Sequence, residues 1–411
     1  MNQDRAFEIL QSGENVFLTG SAGTGKSFLL NKFISYLKDK EINVGITAST
    51  GIASTHIMGT TIHSWSGIGI SKDINDPYVK RFLNRRNSKK IKEIKNTKVL
   101  IIDEISMIDS KCLNLIDIIL KLIKDPFSPF GGMQIVVCGD FFQLPPIDGS
   151  FAYNSPVWKD AKFKVCYLEK QYRQNDQDFI DILNNIRRNT IDENNFNKIK
   201  SRIGGDIKGF DKVTKLYTHN IDVDEINRIE LSCIKEKEVE YHMSSSGNKK
   251  ISETLKKHCL APEVLKLKKG AIVMFLKNNF KEGYVNGTLG TVAGFDNNNF
   301  PIIELKNGSK IIARQEKWDI EVNGEVLASI SQLPLRLAWA ITIHKSQGMS
   351  LDVAEIDLSK SFNYGMGYVA LSRVKRLDSI KLIGINQNAL MVNKDVVEKD
   401  KEFINLSKEN E

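Results

Sequence analysis

Eight residues near the start of the chain, GSAGTGKS at positions 20–27, have the spacing of a loop that wraps phosphate. Gly20, Ala22, Gly23, Thr24 and Gly25 would let backbone N–H groups close around a β-phosphate, and the helix starting there adds its positive end. Lys26 would reach the β- and γ-phosphates of a nucleotide, and Ser27 would offer a hydroxyl to Mg2+. An acidic pair, Asp103–Glu104, follows the apolar run 99–102 directly. Asp103 is placed to hold Mg2+ through water, and Glu104 to orient or deprotonate an attacking water, which favours hydrolysis over transfer to another acceptor. In GDFFQLPP (139–146) the Gln143 amide could sense a γ-phosphate or simply be solvated in a tight proline-rich turn, and residue chemistry leaves both open.

Such a site needs strands that end together and helices that begin there. Apolar runs at 16–19, 44–48, 99–102 and 135–138 read as buried parallel strands. Phe28, Leu29, Leu30, Phe33, Ile34 and Leu37 recur at helical spacing after the loop, and 113–123 reads as another helix. Strands alternating with helices predict a doubly wound α/β fold. A second α/β pattern begins near Cys166, with a strand at 213–218 and helices around 178–188 and 222–231. Short strands predicted at 271–276, 289–295, 301–305, 309–313 and 318–322, separated by Gly and Asn turns, suggest a small inserted β-barrel. The charged last stretch, 394–411, reads as an end helix or a frayed tail.

Composition narrows the class. The chain has 411 residues, 58 Lys+Arg and 50 Asp+Glu, a net charge of +8. Ten Lys/Arg (72, 80, 81, 85, 86, 89, 90, 92, 95 and 98) and three acids fall in 66–98, so this stretch holds +7 of the +8. A cluster like that suits either a solvated face or a polyanion partner. The five cysteines include no C-x-x-C pair, which argues against a zinc or dithiol site and for reduced thiols in a cytosolic protein. No apolar run is long enough to span a membrane, and the N-terminal residues do not read as a signal or transit peptide.

The ordered set GSAGTGKS, ASTGIAS, GTTIHSWSGIG, IIDEISM, PFGGMQIVVCGDFFQLPP, LEKQYRQ, LYTHNIDVDEIN, LKKGAIVMF, VNGTLG, QLPLRLAWAITIHKSQGMSLD and GYVALSRV covers nearly the whole chain. It resembles the PIF-type DNA helicases of superfamily 1B, relatives of the RecD-type enzymes. The phosphate loop is generic to NTPases, whereas GDFFQLPP, AITIHKSQG and YVALSR in this order are specific.

The resemblance implies an α/β protein with two RecA-like P-loop NTPase motor domains, a small inserted wedge subdomain and an inserted small SH-type β-barrel. The first motor would be 1–65 with 97–165, the basic wedge 66–96, the second motor 166–232 with 333–411, and the barrel 233–332. It further implies a 5′-to-3′ helicase, expected to act as a monomeric motor, and the compact, untargeted chain fits a cytoplasmic protein of bacterial or phage-like kind. Its partners would be single-stranded DNA and tailed or forked duplex DNA, with G-quadruplex DNA as a further substrate and repair, recombination and telomere maintenance as settings.

Residue by residue, Arg173 and Arg373 match family arginines that reach the γ-phosphate, and Gln3 matches an adenine-reading glutamine. Gly348 falls on a nucleotide-contacting segment. Thr47, Thr50, Gly51, His63, Ser64, Trp65, Asn286, Thr342, His344, Lys345 and Ser346 fall on segments facing single-stranded DNA, with Lys277 beside them. Hydroxyls, backbone amides and one lysine suit phosphate tracking without sequence readout. Trp65, Phe141 and Trp339 are candidate base-stacking platforms, although Trp339 in the apolar run LAWAI also reads as core. Where the family usually has Gly–Gln before YVALSR, this chain has Gly365–Met366, and Ser54 stands for a usual alanine. Two other readings share these residues: a nucleic-acid-stimulated ATPase that remodels or clamps strands without unwinding, and an RNA-directed helicase.

Overall fold

The computed structural model describes residues 1–69, 71–84, 88–147, 149–207, 213–277, 279, 281–284, 286–305, 307–322 and 325–411. The chain forms two compact units, Met1–Lys212 with Ile343–Glu411, and Val213–Thr342.

The larger unit is built on a six-stranded parallel sheet. Its strand order is Thr60–Thr61, Val44–Ala48, Val99–Asp103, Gln134–Cys138, Val16–Gly20 and Lys164–Leu168. Val16–Gly20 and Val99–Asp103 are buried along their whole length, in keeping with their apolar starts, Val16–Leu18 and Val99–Ile102. Because the strands are parallel and in register, with Leu18 opposite Cys138 and Ile102 opposite Val137, their carboxyl ends open at one edge. The phosphate loop, Asp103–Glu104 and the segment from Gly139 all leave the sheet there, the place where open α/β sheets bind ligands.

Helices cover both faces. Lys26–Asp39 buries Leu29, Leu30, Phe33, Ile34 and Leu37, as its spacing predicts, whereas Phe28 of the same series is exposed. Ser110–Ile123 is capped by Asp109, whose carboxylate accepts the Cys112 N–H at 2.7 Å. The turn around Phe130 and Gly131 docks on that helix: Asp117 accepts the Phe130 N–H at 2.6 Å, and a Cβ on Gly131 would sit 2.6 Å from the Leu120 carbonyl oxygen. The charged end of the chain is a helix, Lys394–Glu409, and Phe403 anchors it by packing against Phe17 with ring centroids 4.9 Å apart.

The expected start of a second α/β layer at Cys166 falls elsewhere. Lys164–Leu168 pairs in parallel with Val16–Gly20 and closes the first sheet. Ala354–Leu358 and Ile380–Ile385 pair in parallel in the same unit, outside the six-stranded sheet. The basic stretch is an excursion between Thr60–Thr61 and Val99–Asp103, carrying helices Pro77–Asn84 and Lys89–Asn96 that bury Val79, Ile91 and Ile94. Arg85 and Arg86 of that cluster lie outside the described residues.

The smaller unit holds the parallel pair Thr214–Tyr217 and Ala340–Thr342 beside the helix Asn220–Cys233. It also has an antiparallel five-stranded sheet, ordered Lys310–Ile312, Pro301–Leu305, Leu289–Phe295, Ile272–Phe275, Leu335–Leu337. Phe275 and Tyr284 stack in its core at 4.0 Å. The strand expected at 318–322 is not part of this sheet. Glu316–Val322 pairs with Glu325–Gln332, which in turn pairs with Ser244–Gly247. No ladder joins the sheet's two outer strands among the described residues, so the pairing there is that of a five-stranded sheet and the small β-barrel remains an expectation. The unit also starts before residue 233 and ends beyond 332, the bounds expected for the insertion. Among the described residues, no helix is long and apolar enough to cross a membrane.

Candidate nucleotide site and nucleic-acid segments

The phosphate loop is shaped by three glycines with φ of +139° (Gly20), +92° (Gly23) and +82° (Gly25). Each is also crowded: a Cβ would sit 2.3 Å from the Leu168 carbonyl oxygen at Gly20, 2.7 Å from the Gln171 and Gln174 amide oxygens at Gly23, and 2.3 Å from Gln3 Nε2 at Gly25. The backbone conformation favours glycine at all three positions, and at Gly20 a fixed backbone carbonyl excludes a side chain as well. Thr24 is buried and donates its hydroxyl to the Ser21 carbonyl. Lys26 Nζ donates to the carbonyls of Gly20 (2.8 Å) and Ser21 (2.9 Å). Burial lowers its pKa, while Asp140, Cys138 and Glu104 oppose the shift.

The converging strand ends bring the remaining groups to this loop. One cavity of about 360 Å3 is lined by Ala22, Gly23, Gly25, Lys26, Ser27, Glu104, Gln143, Arg173, Gly348 and Arg373, among others. Asp103 accepts the Glu104 N–H on Oδ1 at 2.8 Å, and Glu104 takes the left-handed conformation, φ +54°. Burial raises both carboxyl pKa values, and for Asp103 the neighbouring Glu104 charge adds to it. Glu104 Oε2 accepts from Gln347 Nε2 at 2.9 Å. Gln143 is buried; its Nε2 reaches Asp140 at 3.4 Å, and its Oε1 has no hydrogen-bond partner among the described residues. Gln3 Nε2 lies 3.3 Å from the Thr24 carbonyl, beside the loop.

The two arginines are held differently. Arg173 Nη1 donates to the Ser372 carbonyl at 3.0 Å. Arg373 is 1% exposed; its Nε donates to the Val369 carbonyl and its Nη2 to Ser372 Oγ, both at 2.8 Å. Burial and the neighbouring Arg173 charge push its pKa down to about 9. The Glu104 carboxylate in the same cavity opposes that shift.

The residues present fit a hard dication. Ser27 offers an exposed hydroxyl on the cavity wall, and Asp103 and Glu104 are two carboxylates to which no basic side chain is bonded among the described residues. Among those residues no group of three His, Cys, Asp or Glu could hold a metal alone. One hydroxyl and one carboxylate match an ion that keeps its waters and takes phosphate oxygens.

The nucleic-acid segments divide into surface and core. Thr50 caps the helix Gly51–His56, its Oγ1 accepting the Ala53 N–H at 3.2 Å, and Ser64 is exposed. His63 is half-buried with Nε2 3.7 Å from Cys112 Sγ, and burial lowers its pKa. His344, which stacks on Phe362 with ring centroids 6.3 Å apart, is likewise lowered by burial. Lys345 is half-buried, whereas Ser346 is buried with its hydroxyl on the Ile343 carbonyl. In the smaller unit, Thr342 and Asn286 are buried, and Lys277 is engaged by Glu316 while lying over the Trp318 ring.

Three further residues expected to face DNA are buried as well. Thr47 is a core strand residue whose hydroxyl donates to the Ile101 carbonyl at 2.6 Å. Trp65 is 5% exposed and lies flat against Gly45, where a Cβ would come within 2.7 Å of the indole. Phe141 sits inside a cluster with Phe17, Phe151, Tyr153, Trp158 and Phe403, so it offers no face to a base. Trp339 packs against the core of the smaller unit, as its apolar run suggests.

Several residues around the site carry no mark in the sequence. Asp140, Tyr368, Gln171, Gln174 and Gln347 lie within family motifs but have no spacing signal of their own. Arg187 shares the buried face of the helix Gln177–Arg188 with Phe179, Ile182, Leu183 and Ile186. A charged residue on an apolar helix face is the one mark that could have flagged it.

The family profile described as PIF1-like helicase matches residues 2–197, and that described as the 2B domain of DNA helicase Pif1 matches 250–295. The chain is 41% identical to the ATP-dependent DNA helicase Pif1 of Psychrobacter sp. (strain PRwf-1), covering 100% of this chain and 72% of that protein. It is 35% identical to the ATP-dependent DNA helicase PIF1 of Xenopus laevis, covering 96% of this chain but only 63% of that relative. Among solved structures, Pif1 helicase from Candida albicans superposes with a TM-score of 0.90 at 35% identity, covering 97% of this chain and 98% of that one. Pif1 helicase from Bacteroides in complex with ADP-AlF3 and single-stranded DNA gives a TM-score of 0.81 at 30% identity, covering 98% and 96%. With its three-glycine loop, its paired arginines and this likeness along its whole length, the chain belongs to the PIF1-like helicase family.

Proposed function

We propose that this chain is an ATP-dependent DNA helicase that moves 5′ to 3′ along single-stranded DNA as a monomeric motor. The observation that carries the reading is the convergence of Arg173 and Arg373 on the cavity that holds Lys26, Glu104 and Gln143. The named relatives, and a Bacteroides relative seen with ADP-AlF3 and single-stranded DNA, support the same activity.

In this reading the loop amides and Lys26 bind the β- and γ-phosphates, and the lysine exchanges its two loop carbonyls for phosphate oxygens. Ser27 and, through water, Asp103 would hold Mg2+, whose charge when bound offsets that of the phosphates. Glu104, oriented by Gln347, takes a proton from the attacking water. Arg173 and Arg373 stabilise the charge that develops on the transferred phosphoryl group. Gln3 reads the adenine edge.

Two RecA-like layers, one carrying the phosphate loop and the other Arg173 and Arg373, would share the nucleotide, so that hydrolysis changes their grip on the strand. Thr50, Gly51, His63, Ser64, His344 and Lys345 would track phosphates, and the basic helices within 66–96 would part the duplex. Forked and G-quadruplex DNA are the structured substrates this reading includes. A single comparison tests it: ATP hydrolysis with and without a single-stranded oligodeoxynucleotide, in wild type and in Lys26→Ala. Stimulation by DNA in the wild type and hydrolysis at background in the variant is the expected result; normal hydrolysis by Lys26→Ala contradicts the assignment.

A further inference from the structure

Behind the phosphate loop lies a buried polar network that the hydrolysis reading does not use. Tyr368 is 1% exposed, on the short helix Met366–Leu371. Its hydroxyl accepts the Ala22 N–H at 2.9 Å and Arg187 Nη1 at 3.1 Å, and donates to Asp140 Oδ2 at 3.1 Å. All the hydrogen-bonding capacity of that oxygen is spent. Asp140 also receives Arg187 Nη1 on both oxygens, at 2.7 and 2.8 Å, and Gln143 Nε2 at 3.4 Å. Arg187 lies over the Phe142 ring and donates Nη2 to the Tyr167 hydroxyl at 2.8 Å.

Two consequences follow from the Tyr368 hydroxyl. One amide of the phosphate loop is committed to Tyr368, which anchors the loop at Ala22. The anchor is also five residues from Arg373, whose guanidinium is pinned to the same turn through Val369 and Ser372. Loop and arginine are therefore held by one short rigid element, with a hydrogen bond at one end and the cavity wall at the other.

We propose that Tyr368 is a positioning residue for phosphoryl transfer: by tying the Ala22 amide to the element that carries Arg373, it fixes the guanidinium at the distance from the phosphate loop that the transition state needs. The inference rests on the hydrolysis reading of Arg373. A role confined to the transition state separates from a structural one, because its loss weakens binding of a transition-state mimic and spares binding of product.

The test is Tyr368→Phe, which removes one oxygen and keeps the ring. Tyr167→Phe is the matched control, since it removes a hydroxyl from the same network without touching the loop. Affinities for ADP and for ADP with aluminium fluoride are measured by displacement of a fluorescent ADP, with Mg2+ and an oligothymidylate present, alongside thermal unfolding. The expected result is ADP affinity within twofold of wild type for both variants, and a loss of at least tenfold in ADP–aluminium fluoride affinity and in kcat for Tyr368→Phe alone. Equal weakening of both ligands, no weakening of either, or the same loss in Tyr167→Phe overturns the inference. A wild-type chain that does not prefer ADP–aluminium fluoride over ADP overturns the hydrolysis reading and this inference with it, whereas a wild-type preference that survives Tyr368→Phe overturns the inference alone.

Discussion

Gln347 donates its side-chain amide to the Glu104 carboxylate at 2.9 Å, across 243 residues of sequence. Glu104 follows a central strand of the sheet, and Gln347 sits in the segment IHKSQG, which by family resemblance faces the DNA. In the proposed function, a segment that tracks the strand and the carboxylate that activates water would be one hydrogen bond apart. The same bond favours the ionised carboxylate against the burial that raises its pKa.

Gln347→Ala should therefore lower the DNA-stimulated kcat about tenfold, a fraction of what a positioned general base contributes, with little change in KM for ATP. Gln347→Glu, which sets a second carboxylate against Glu104, should cost more. Steady-state hydrolysis over a range of ATP and DNA concentrations measures both. Unchanged kcat in Gln347→Ala would show that the bond is incidental.

Trp65 lies against Gly45, and the close approach leaves no room for a methyl group. Gly45→Ala should destabilise the larger unit by about 1–3 kcal/mol, the usual cost of overpacking a close-packed core. Denaturant unfolding at constant m-value is the readout. A stability equal to wild type would mean that the indole is free to move, and would restore it as a candidate base platform.

Lys89, Lys92 and Lys95 are exposed on the helix Lys89–Asn96. Replacing all three with Ala should weaken single-strand binding and flatten its salt dependence, by a slope of about 0.7 for each phosphate that is no longer neutralised. Fluorescence anisotropy at several salt concentrations decides between a polyanion-binding face and a solvated one, since the latter leaves the slope unchanged.

How far the sequence speaks depends on the kind of relationship. The phosphate loop and the pair Asp103–Glu104 are legible because each is a strand running straight into its functional residues, and parallel pairing then brings the strand ends together. The roles of Arg173 and Arg373 are legible only through family resemblance, since an arginine in isolation carries no mark of what it faces. Thr47, Trp65 and Phe141 show the converse: residue type suits DNA, but all three are buried, and a short segment does not reveal which side of the core it lines. Lys164–Leu168 reads as the start of a new layer because an apolar strand does not say which sheet it joins. The Asp140–Arg187–Tyr368 network is the least legible, since its partners are 47 to 228 residues apart and lie in different motifs.

Strand separation with defined polarity tests the central claim most directly. Two duplexes, one with a 5′ single-stranded tail and one with a 3′ tail, are incubated with the protein, ATP and Mg2+, with Lys26→Ala as control. The account predicts that the 5′-tailed duplex is separated, the 3′-tailed duplex stays intact, and the variant separates neither. Separation of the 3′-tailed duplex alone, or DNA-stimulated ATP hydrolysis with both duplexes left intact, would contradict it.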